Sequence, residues 1–305
     1  MLTKEEKTAQ LHLSLDDKIK QSKRLIMDWY AQFKGKVYVA YSGGKDSTVL
    51  LHLVRSLYPE VPAVFCNTGL EYPDIVEFVK TTPNVEIIKP KLTFKQVLEK
   101  YGYPVISKEQ SQYIYDCRNT KSCKQLNIRL NGNKSGRGCV SNKWKFLIDA
   151  PFKISNKCCN IMKKNPSKEY EKRTGRKPYL GIMATESAMR IERYYKGECN
   201  AFNSKRPESN PIIFWDNNDI WEYIKRYNVD YCKIYDKGFS RTGCMFCMYG
   251  AERDDDDRFD LMKKHYPKIY DYCMEKLNLR YIMEYIKSGG PIKGLFSIID
   301  RGENK

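Results

Sequence analysis

The sequence predicts an α/β protein with a doubly wound, mostly parallel sheet. Short apolar runs typical of buried strands alternate with stretches in which apolar residues recur at helical spacing. Such alternation indicates parallel strands joined by crossover helices that cover both faces of the sheet. A glycine pair also separates the first strand from the helix after it, at the edge where open α/β sheets bind ligands.

The predicted elements can be placed in chain order. Four apolar runs are predicted as strands, at residues 36–41, 61–66, 85–88 and 179–184. Apolar residues at helical spacing predict helices at residues 13–34 and 48–54. Three more helices are predicted from residues in their first turns: a proline lies in the first turn of 72–80, a capping threonine begins 93–101, and an acidic residue begins 219–227. The ends of the first two strands are expected to lie at the same sheet edge, which brings Thr68 and Gly69 near the glycine pair.

The glycine pair belongs to a hexapeptide that we call the phosphate loop: Ser42, Gly43, Gly44, Lys45, Asp46 and Ser47. Two glycines permit a tight turn and leave backbone N–H groups free to face a phosphate, while the helix dipole and Lys45 add positive charge. The loop is not of the G-x-x-x-x-G-K-[ST] type, because Gly44 directly precedes Lys45. We therefore predict phosphate binding here, with a plain glycine turn as the alternative.

Composition limits the class of protein. The 305 residues can bury a substantial core. The net charge of +17 suggests a polyanionic substrate or partner, but a basic surface that only contacts solvent explains it about equally well. No apolar run approaches membrane-spanning length, and the N-terminus lacks the apolar core of a signal peptide, so we expect a cytoplasmic protein without a membrane partner. In that compartment the 11 cysteines are expected to be metal ligands, thiols or catalytic groups.

The chain is expected to have three parts. Residues 1–35 form an N-terminal helical segment, residues 36–250 the nucleotide-binding α/β domain, and residues 251–305 a C-terminal helical segment. Within the domain, residues 105–157 are predicted as a basic insertion with a loop at 131–136, in which we expect three free thiols, Cys117, Cys123 and Cys139. The acidic run at 254–257 is predicted to begin a helix rather than to bind metal.

Four further cysteines form two close pairs: Cys158 with Cys159, and Cys244 with Cys247. Four thiolates can hold zinc or a [4Fe–4S] cluster. Adjacent ligands are unusual for structural zinc, whose paired cysteines are normally two to four residues apart, so the spacing favours a cluster. Four unrelated thiols are the alternative.

These motifs together resemble a known family. The phosphate loop resembles the pyrophosphate loop of the adenine nucleotide α-hydrolase families, whose fold is Rossmann-like. The two cysteine pairs resemble the cluster signature of adenylylsulfate reductases, and residues 181–190, which include Glu186, Ser187 and Arg190, resemble the segment between those pairs. From about residue 20 to 275, the chain is similar to the phosphoadenosine phosphosulfate reductase family.

Two features depart from the reductases of that family. Lys45 is present, as in enzymes that resemble this chain and cleave ATP between its α and β phosphates, whereas sulfonucleotide reductases usually lack this lysine. The reductases also end in a segment with a catalytic cysteine, and no cysteine follows Cys273, which we expect to be a buried helical thiol.

The resemblance implies a role for each site residue. The backbone of Gly43 and Gly44 and the hydroxyls of Ser42 and Ser47 would hold the ATP phosphates. Lys45 would neutralise departing pyrophosphate, Asp46 would assist Mg²⁺, and Arg190 would face the acceptor or α-phosphate. Thr68 and Gly69 would border the ribose or adenine, Glu186 and Ser187 would lie near the nucleotide, and a cluster on the four paired cysteines would position sulfur or set local charge.

Three hypotheses of function follow. The first is cleavage of ATP to AMP and pyrophosphate, which activates an acceptor for sulfur transfer or nucleic-acid modification. The second is a reductase that releases sulfite from adenylylsulfate or its 3′-phosphorylated form. The third is a non-catalytic nucleotide- or nucleic-acid-binding component of an assembly. A nucleic acid or a sulfur-donor protein is the expected partner, and family resemblance suggests a homodimer.

Overall fold

Residues 3–253 and 255–291 are described in the structure, a computed structural model. They fall into two compact units. Unit 1 comprises residues 3–90, Asn165–Asp236 and Ser240–Thr242, and unit 2 comprises Lys91–Lys164, Lys237–Phe239 and the described residues from Gly243 onward. Asp254 of the acidic run, and the part of the predicted C-terminal segment beyond residue 291, lie outside the described residues.

The elements alternate between helix and strand along most of the chain. The first part of unit 1 contains α1 (Lys4–Leu11), α2 (Leu15–Gln32), β1 (Val37–Tyr41), α3 (Lys45–Arg55), β2 (Ala63–Cys66), α4 (Pro73–Thr81) and β3 (Val85–Ile88). The first part of unit 2 contains α5 (Phe94–Tyr101), β4 (Val105–Ile106), α6 (Lys108–Asn119), α7 (Cys123–Asn131), a 3₁₀ stretch (Asn142–Asp149) and a π-helical turn (Asn160–Lys164).

The chain then completes each unit. Unit 1 continues with α8 (Asn165–Thr174), β5 (Lys177–Leu180), a 3₁₀ turn (Ala184–Glu186), α9 (Ala188–Lys196), β6 (Asn200–Ala201), β7 (Glu208–Ser209) and α10 (Asn217–Tyr227). A 3₁₀ turn (Lys233–Lys237) follows. Unit 2 ends with β8 (Met248–Tyr249), α11 (Arg258–His265), α12 (Pro267–Asp271), a π-helical turn (Tyr272–Lys276) and α13 (Leu279–Lys287).

Unit 1 is built on a six-stranded sheet of order β3-β2-β1-β5-β7-β6. All its pairs are parallel except β6 with β7, and Val39 of β1 lies opposite Ala63 of β2 and Tyr179 of β5. The mostly parallel α/β prediction is therefore confirmed. Because β1, β2 and β5 are adjacent and parallel, the residues that follow them meet at one edge.

The helices of unit 1 are fixed to one another by buried polar contacts as well as by the apolar core. Trp29 and Trp215 are fully buried, and the indole of Trp215 donates to Ser22 on α2 at 3.0 Å. Lys18 on α2 forms a buried ion pair with Asp219 on α10 at 2.6 Å. These contacts hold α2 and α10 in register, so the first turn of α10 has a defined position.

Unit 2 is mainly helical, with one small parallel sheet formed by β4 and β8. A second chain crossing lies beside it: Tyr103 donates to the carbonyl of Lys153 at 2.8 Å, and Ser155 donates to the carbonyl of Tyr103 at 3.1 Å. Gly102 permits this approach, because a Cβ there would lie 2.3 Å from the carbonyl carbon of Lys153. Segments distant in sequence are thereby joined along residues 102–106.

Most predicted elements are confirmed, and three differences are informative. The fourth strand ends at Leu180 rather than at residue 184, because Ala184 donates to Ile213 and a 3₁₀ turn begins there. Helices α6 and α7 fill much of the predicted insertion, where Ser107 and Ser122 cap their first turns. Helix α1 was also missed, although Thr3 and Glu6 form a capping box.

Two expectations about the C-terminal half are confirmed. Helix α11 begins at Arg258, directly after Asp257, so the acidic run precedes a helix. Cys273 is buried within a helical turn. Among the described residues, no helix is both long enough and apolar enough to span a membrane.

Candidate functional site

The phosphate loop joins β1 to α3. Helix α3 begins at Lys45 with Gly44 as its N-cap, and Gly43 adopts a φ of +71°, which glycine tolerates best. A Cβ on Gly43 would lie 2.8 Å from a methyl of Val79 and 2.9 Å from a methyl of Ile75. Both the turn and the close packing of α4 therefore require glycine at this position.

The hydroxyl groups of the loop bond to one another. Ser42 and Ser47 lie 3.0 Å apart at their hydroxyl oxygens, and the backbone N–H of Ser42 donates to Ser47 at 3.1 Å. The backbone N–H of Gly44 donates to the Ser42 hydroxyl at 3.3 Å, and the Ser47 hydroxyl donates to the carbonyl of Gly44 at 2.9 Å. The loop is thus held in shape by its own polar groups.

Tyr235 covers the beginning of α3. Its phenol oxygen accepts the backbone N–H of Lys45 at 2.9 Å and lies 3.4 Å from the hydroxyl of Thr242. Burial raises the pKa of Tyr235 to about 12. One of the N–H groups at this helix N-terminus therefore already has an acceptor.

A cavity of about 230 Å³ opens beside the loop. It is lined by Lys45, Asp46, Met183, Thr185, Glu186, Asn217, Ser240 and Arg241. Lys45 is only 5% exposed, and its ammonium lies 2.9 Å from a carboxylate oxygen of Asp46. A second close approach comes from the end of β5, since a Cβ on Gly181 would lie 3.2 Å from the backbone of Ser47.

Glu186, Ser187 and Arg190 form one local cluster at the beginning of α9. Ser187 caps the helix and accepts the backbone N–H of Arg190 at 3.3 Å. The guanidinium of Arg190 is ion-paired with Glu186, which also accepts the backbone N–H of Met183 at 3.0 Å. Burial lowers the pKa of Arg190, while the charge of Asp46 raises it and that of Arg241 lowers it, so Arg190 lies near the cavity-lining charges.

Thr68 and Gly69 follow β2 but bond locally. The backbone N–H and the hydroxyl of Thr68 both donate to the carboxylate of Glu71, at 2.9 and 2.8 Å. Gly69 has a φ of +74° and donates to the side chain of Asn67 at 3.1 Å. Neither residue lines the cavity beside Lys45.

The structure thus brings Lys45, Asp46 and Glu186 to one cavity, with Arg190 next to it. Sequence reasoning missed five lining residues, Met183, Thr185, Asn217, Ser240 and Arg241, as well as Tyr235. Arg241 was marked by its place before the Thr242-Gly243-Cys244 turn. Tyr235 carried no signal, because a tyrosine 190 residues from Lys45 is not distinguished by any local pattern.

The four paired cysteines lie in unit 2. Cys158 and Cys159 begin the helical stretch that leads to Lys164, shortly after the crossing of Lys153 with Tyr103. Cys244 and Cys247 flank a turn in which the Cys247 N–H donates to the Cys244 carbonyl at 3.1 Å, and β8 follows directly. Both pairs are therefore positioned by the backbone around residues 102–106.

The charges of these thiols affect one another. Cys158 donates to Cys159 across 3.9 Å, which raises the pKa of Cys158 and lowers that of Cys159. Lys108, Lys163 and Lys164 further lower the pKa of Cys159. The pKa of Cys247 is raised by burial and by the charge of Cys159, so the two pairs are close enough to interact.

Tyr249 faces this cysteine group. Its hydroxyl is buried and forms no hydrogen bond of ordinary geometry among the residues that the structure describes, although the nearby Cys158 thiol interacts with it and raises its pKa. Burial and the charges of Cys158, Cys159 and Cys247 all raise the pKa of Tyr249, which places its ring beside the thiols. Within residues 3–253 and 255–291, no three His, Cys, Asp or Glu side chains converge as ligands of a single metal ion.

The thiols nevertheless fit an iron–sulfur cluster in their chemistry. Such a cluster requires four thiolates, a way to offset their negative charge, and donors to its sulfur atoms. The four cysteines, the neighbouring lysines and the buried Tyr249 hydroxyl match these three requirements.

Comparison with known proteins assigns the family. The model of the phosphoadenosine phosphosulfate reductase domain matches residues 36–134 and 106–249, which together include the phosphate loop and both cysteine pairs. The chain belongs to the phosphoadenosine phosphosulfate reductase family. The family suggested by the motifs is thereby confirmed.

Several relatives are similar to this chain over most of its length. An uncharacterized protein of Methanocaldococcus jannaschii is 27% identical over 85% of this chain and 52% of its own length, and a second is 26% identical over 81% and 42%. The chain thus spans about half the length of these two relatives. The adenosine 5′-phosphosulfate reductase of Halalkalibacterium halodurans is 21% identical over 76% of this chain and 83% of its own length.

A solved structure also matches. The phosphoadenylyl-sulfate reductase of Candida auris, in a phosphate complex, has a TM-score of 0.42 at 16% identity, and the match covers 80% of this chain and 96% of that one.

Proposed function

We propose that unit 1 binds ATP at the phosphate loop and cleaves it between the α and β phosphates. An acceptor oxygen forms a bond to the α-phosphorus, and the α–β anhydride bond breaks. Pyrophosphate leaves with the electron pair, and the acceptor proton passes to solvent. The adenylylated acceptor is then open to displacement of AMP, which suits sulfur transfer or nucleic-acid modification.

The observation that carries this proposal is the position of Lys45. Its ammonium is almost fully buried, has one carboxylate beside it and lines the cavity next to the loop. A buried cation is costly unless negative charge surrounds it. The β and γ phosphates of ATP supply such charge, and it grows on the leaving pyrophosphate, where a positioned cation lowers the barrier.

The other groups of unit 1 have complementary tasks in this proposal. The Ser42 and Ser47 hydroxyls would exchange their mutual hydrogen bonds for phosphate oxygens, together with the N–H groups of Gly43 and Gly44. Asp46 would accept a hydrogen bond from Mg²⁺-bound water. Arg190, which is paired with Glu186 near the cavity, would face the α-phosphate or the acceptor.

The remaining predicted residues border the nucleotide. Ser187 fixes Arg190 through its cap, and Thr68 and Gly69 would lie beside the ribose or adenine. Arg241 joins this set because it lines the same cavity as Lys45.

Unit 2 would hold a [4Fe–4S] cluster on Cys158, Cys159, Cys244 and Cys247. When bound, the cluster supplies an iron–sulfur surface that positions sulfur and changes the local charge. Tyr249 would donate its hydroxyl proton toward a sulfur atom, and the three neighbouring lysines would offset negative charge.

The test is product analysis of protein purified without oxygen. Incubation with ATP and Mg²⁺, with water as the acceptor of the adenylyl group, should release pyrophosphate and AMP, and incubation with adenylylsulfate should release no sulfite. Sulfite without pyrophosphate would contradict ATP cleavage and support reduction. Bound ATP with neither product would instead support a non-catalytic nucleotide-binding role.

Sulfonucleotide reduction is the second candidate, and the reductase relatives favour it. It requires a nucleophilic thiol that can reach the substrate. Cys273 is a poor candidate, because it is completely buried and burial raises its pKa to about 12. The reductase hypothesis therefore requires the thiol of another residue or of a partner protein.

A further inference from the structure

Unit 2 contains a basic segment that the nucleotide site does not use. Residues 121–145, which we call the basic segment, include seven Lys or Arg and no Asp or Glu. Arg129 differs from the other six, because it forms an ion pair with Asp116 at 2.8 Å. The other six cations are exposed and form no ion pair within the described residues: Lys121, Lys124, Lys134, Arg137, Lys143 and Lys145.

The basic segment is ordered by its own hydrogen bonds. Helix α7 contains no buried residue, and the chain after it folds back, since Val140 donates to the carbonyl of Arg129 at 2.8 Å. The side chain of Asn133 accepts the backbone N–H groups of Ser135 and Arg137 at 2.9 and 3.0 Å. The cations are therefore presented on a formed surface, which lowers the entropy cost of binding a polyanion.

The segment ends at a cavity of about 440 Å³ within unit 2. This volume lies within the range of about 300–1,000 Å³ that is usual for small-molecule sites. Two aromatic rings, Trp144 and Phe146, form part of its wall, and Lys143 and Lys287 add positive charge. The ammonium of Lys143 lies 4.7 Å from the centre of the Trp144 indole.

A carboxylate in the same wall lacks a donor. One oxygen of Glu252 is buried and has no hydrogen-bond partner among the described residues. Burial raises the pKa of Glu252, and the charges of Lys143, Arg253 and Arg258 lower it. An amine of a ligand in the cavity would pair with the Glu252 carboxylate, and carboxylates accept from the exocyclic amine of cytosine in this way.

We infer that the basic segment binds single-stranded nucleic acid and that the adjoining cavity receives one of its bases. Lysine and arginine neutralise the phosphates, Trp144 stacks on the base, and Glu252 accepts from its amine. A single strand is required, because a base can enter the cavity and stack on Trp144 only when it is unstacked from its neighbours. The inference concerns binding by unit 2 and does not depend on ATP cleavage by unit 1.

Charge at the rim and charge in the cavity distinguish this ligand from other polyanions. An anionic lipid surface or an acidic peptide would satisfy the exposed cations, but its acidic groups would be repelled by Glu252. A nucleotide carries negative charge on its phosphate and hydrogen-bond donors on its base. Lys143 would pair with the phosphate, and Glu252, in the same cavity wall, would accept from the base.

The test is fluorescence anisotropy with labelled 15-nucleotide strands of oligo-C and oligo-U, as RNA and as DNA, without ATP. The patch variant carries Lys121→Gln, Lys124→Gln, Lys134→Gln and Arg137→Gln. A matched control carries four exposed lysine substitutions in unit 1: Lys80→Gln, Lys89→Gln, Lys205→Gln and Lys225→Gln. Both variants lose the same net charge.

We expect the patch variant to bind at least tenfold more weakly and its salt slope to fall by about 2–3, since each single-strand phosphate contact contributes roughly 0.7. The control should change less than threefold. Trp144→Ala should weaken binding about tenfold, and Trp144→Phe should keep most of it. Glu252→Gln should reduce a preference for oligo-C over oligo-U.

Equal losses in the patch variant and its control would overturn the assignment of the surface. Equal affinity for a 15-base-pair duplex would overturn the single-strand claim. Binding of anionic lipid vesicles or polyglutamate without binding of the strands would replace nucleic acid by another partner. If both Trp144 variants bind like the unchanged protein, the cavity does not receive a base.

Discussion

The two candidate sites differ in how far the protein satisfies its own polar groups. Around the phosphate loop, the Ser42 and Ser47 hydroxyls and the Lys45 N–H all bond to other groups of unit 1. In unit 2, Tyr249 and Glu252 each have a buried oxygen without a hydrogen bond of ordinary geometry among the described residues. Such a group costs about 1–3 kcal/mol, so unit 2 gains by binding something, whereas a nucleotide in unit 1 must replace existing bonds.

The sites also differ in how the chain assembles them. The phosphate loop is one continuous turn between β1 and α3, although α4 and Tyr235 pack against it. The cysteine group depends on the crossing of residues 102–106 with two other segments. We therefore expect loss of a metal to disturb unit 2 selectively.

The largest expected effect is on iron content. Protein purified without oxygen should contain about four iron atoms per chain, with acid-labile sulfide. Cys159→Ser or Cys247→Ser should lose most of this iron, because a serine oxygen is a much poorer ligand for iron–sulfur clusters than a thiolate. Colorimetric iron and sulfide analysis measures the loss.

Two controls make this prediction specific. Cys123→Ser and Cys139→Ser, in the same unit, should retain the iron, and the iron-free variants should still bind ATP within about threefold. A protein with zinc and no iron would refute the cluster. Loss of ATP binding together with iron would contradict the independence of the two sites.

The next effect concerns the rate of pyrophosphate release. Lys45→Ala should lower the rate about 10²–10³-fold, as removal of one positioned charge typically does, with a smaller change in ATP affinity. Lys225→Ala, at an exposed lysine of the same unit, serves as the control. Equal losses of rate and affinity would indicate that Lys45 only binds the nucleotide.

Features that depend on neighbouring residues were predicted from the sequence, whereas features that depend on distant packing were not. The sheet, the loop and the helix after it were predictable because strand periodicity, glycines and caps act over a few residues. Tyr235 could not be predicted as a neighbour of Lys45, because it is brought there by the packing of the 3₁₀ turn after α10. Helices α6 and α7 were obscured by their polar composition, although serine caps marked both.

A third prediction tests the rigidity of the phosphate loop through stability. Gly43→Ala should lower the free energy of unfolding by about 2–5 kcal/mol, because it combines backbone strain at positive φ with contact to Val79 and Ile75. Gly69 has a similar φ, but a Cβ there would meet no other atom within 4 Å, so Gly69→Ala should cost only about 1–2 kcal/mol. Urea unfolding measures both, and equal costs would show that α4 yields to the added methyl.

The smallest expected effect comes from removing the protein's own acceptor of the Lys45 N–H, which tests directly whether ATP must replace that hydrogen bond. Tyr235→Phe removes the acceptor of the Lys45 N–H and should destabilise the nucleotide-free protein by about 0.5–1.5 kcal/mol. If a phosphate oxygen replaces that phenol on binding, the variant has no bond to break and should bind ATP up to about tenfold more tightly. Isothermal titration calorimetry measures the affinity, and Tyr231→Phe, whose hydroxyl donates to Asp236, controls for loss of a tyrosine hydroxyl. Weaker binding by Tyr235→Phe alone would mean that the phenol contacts the nucleotide itself, and the phosphate loop would then be completed by Tyr235 rather than covered by it.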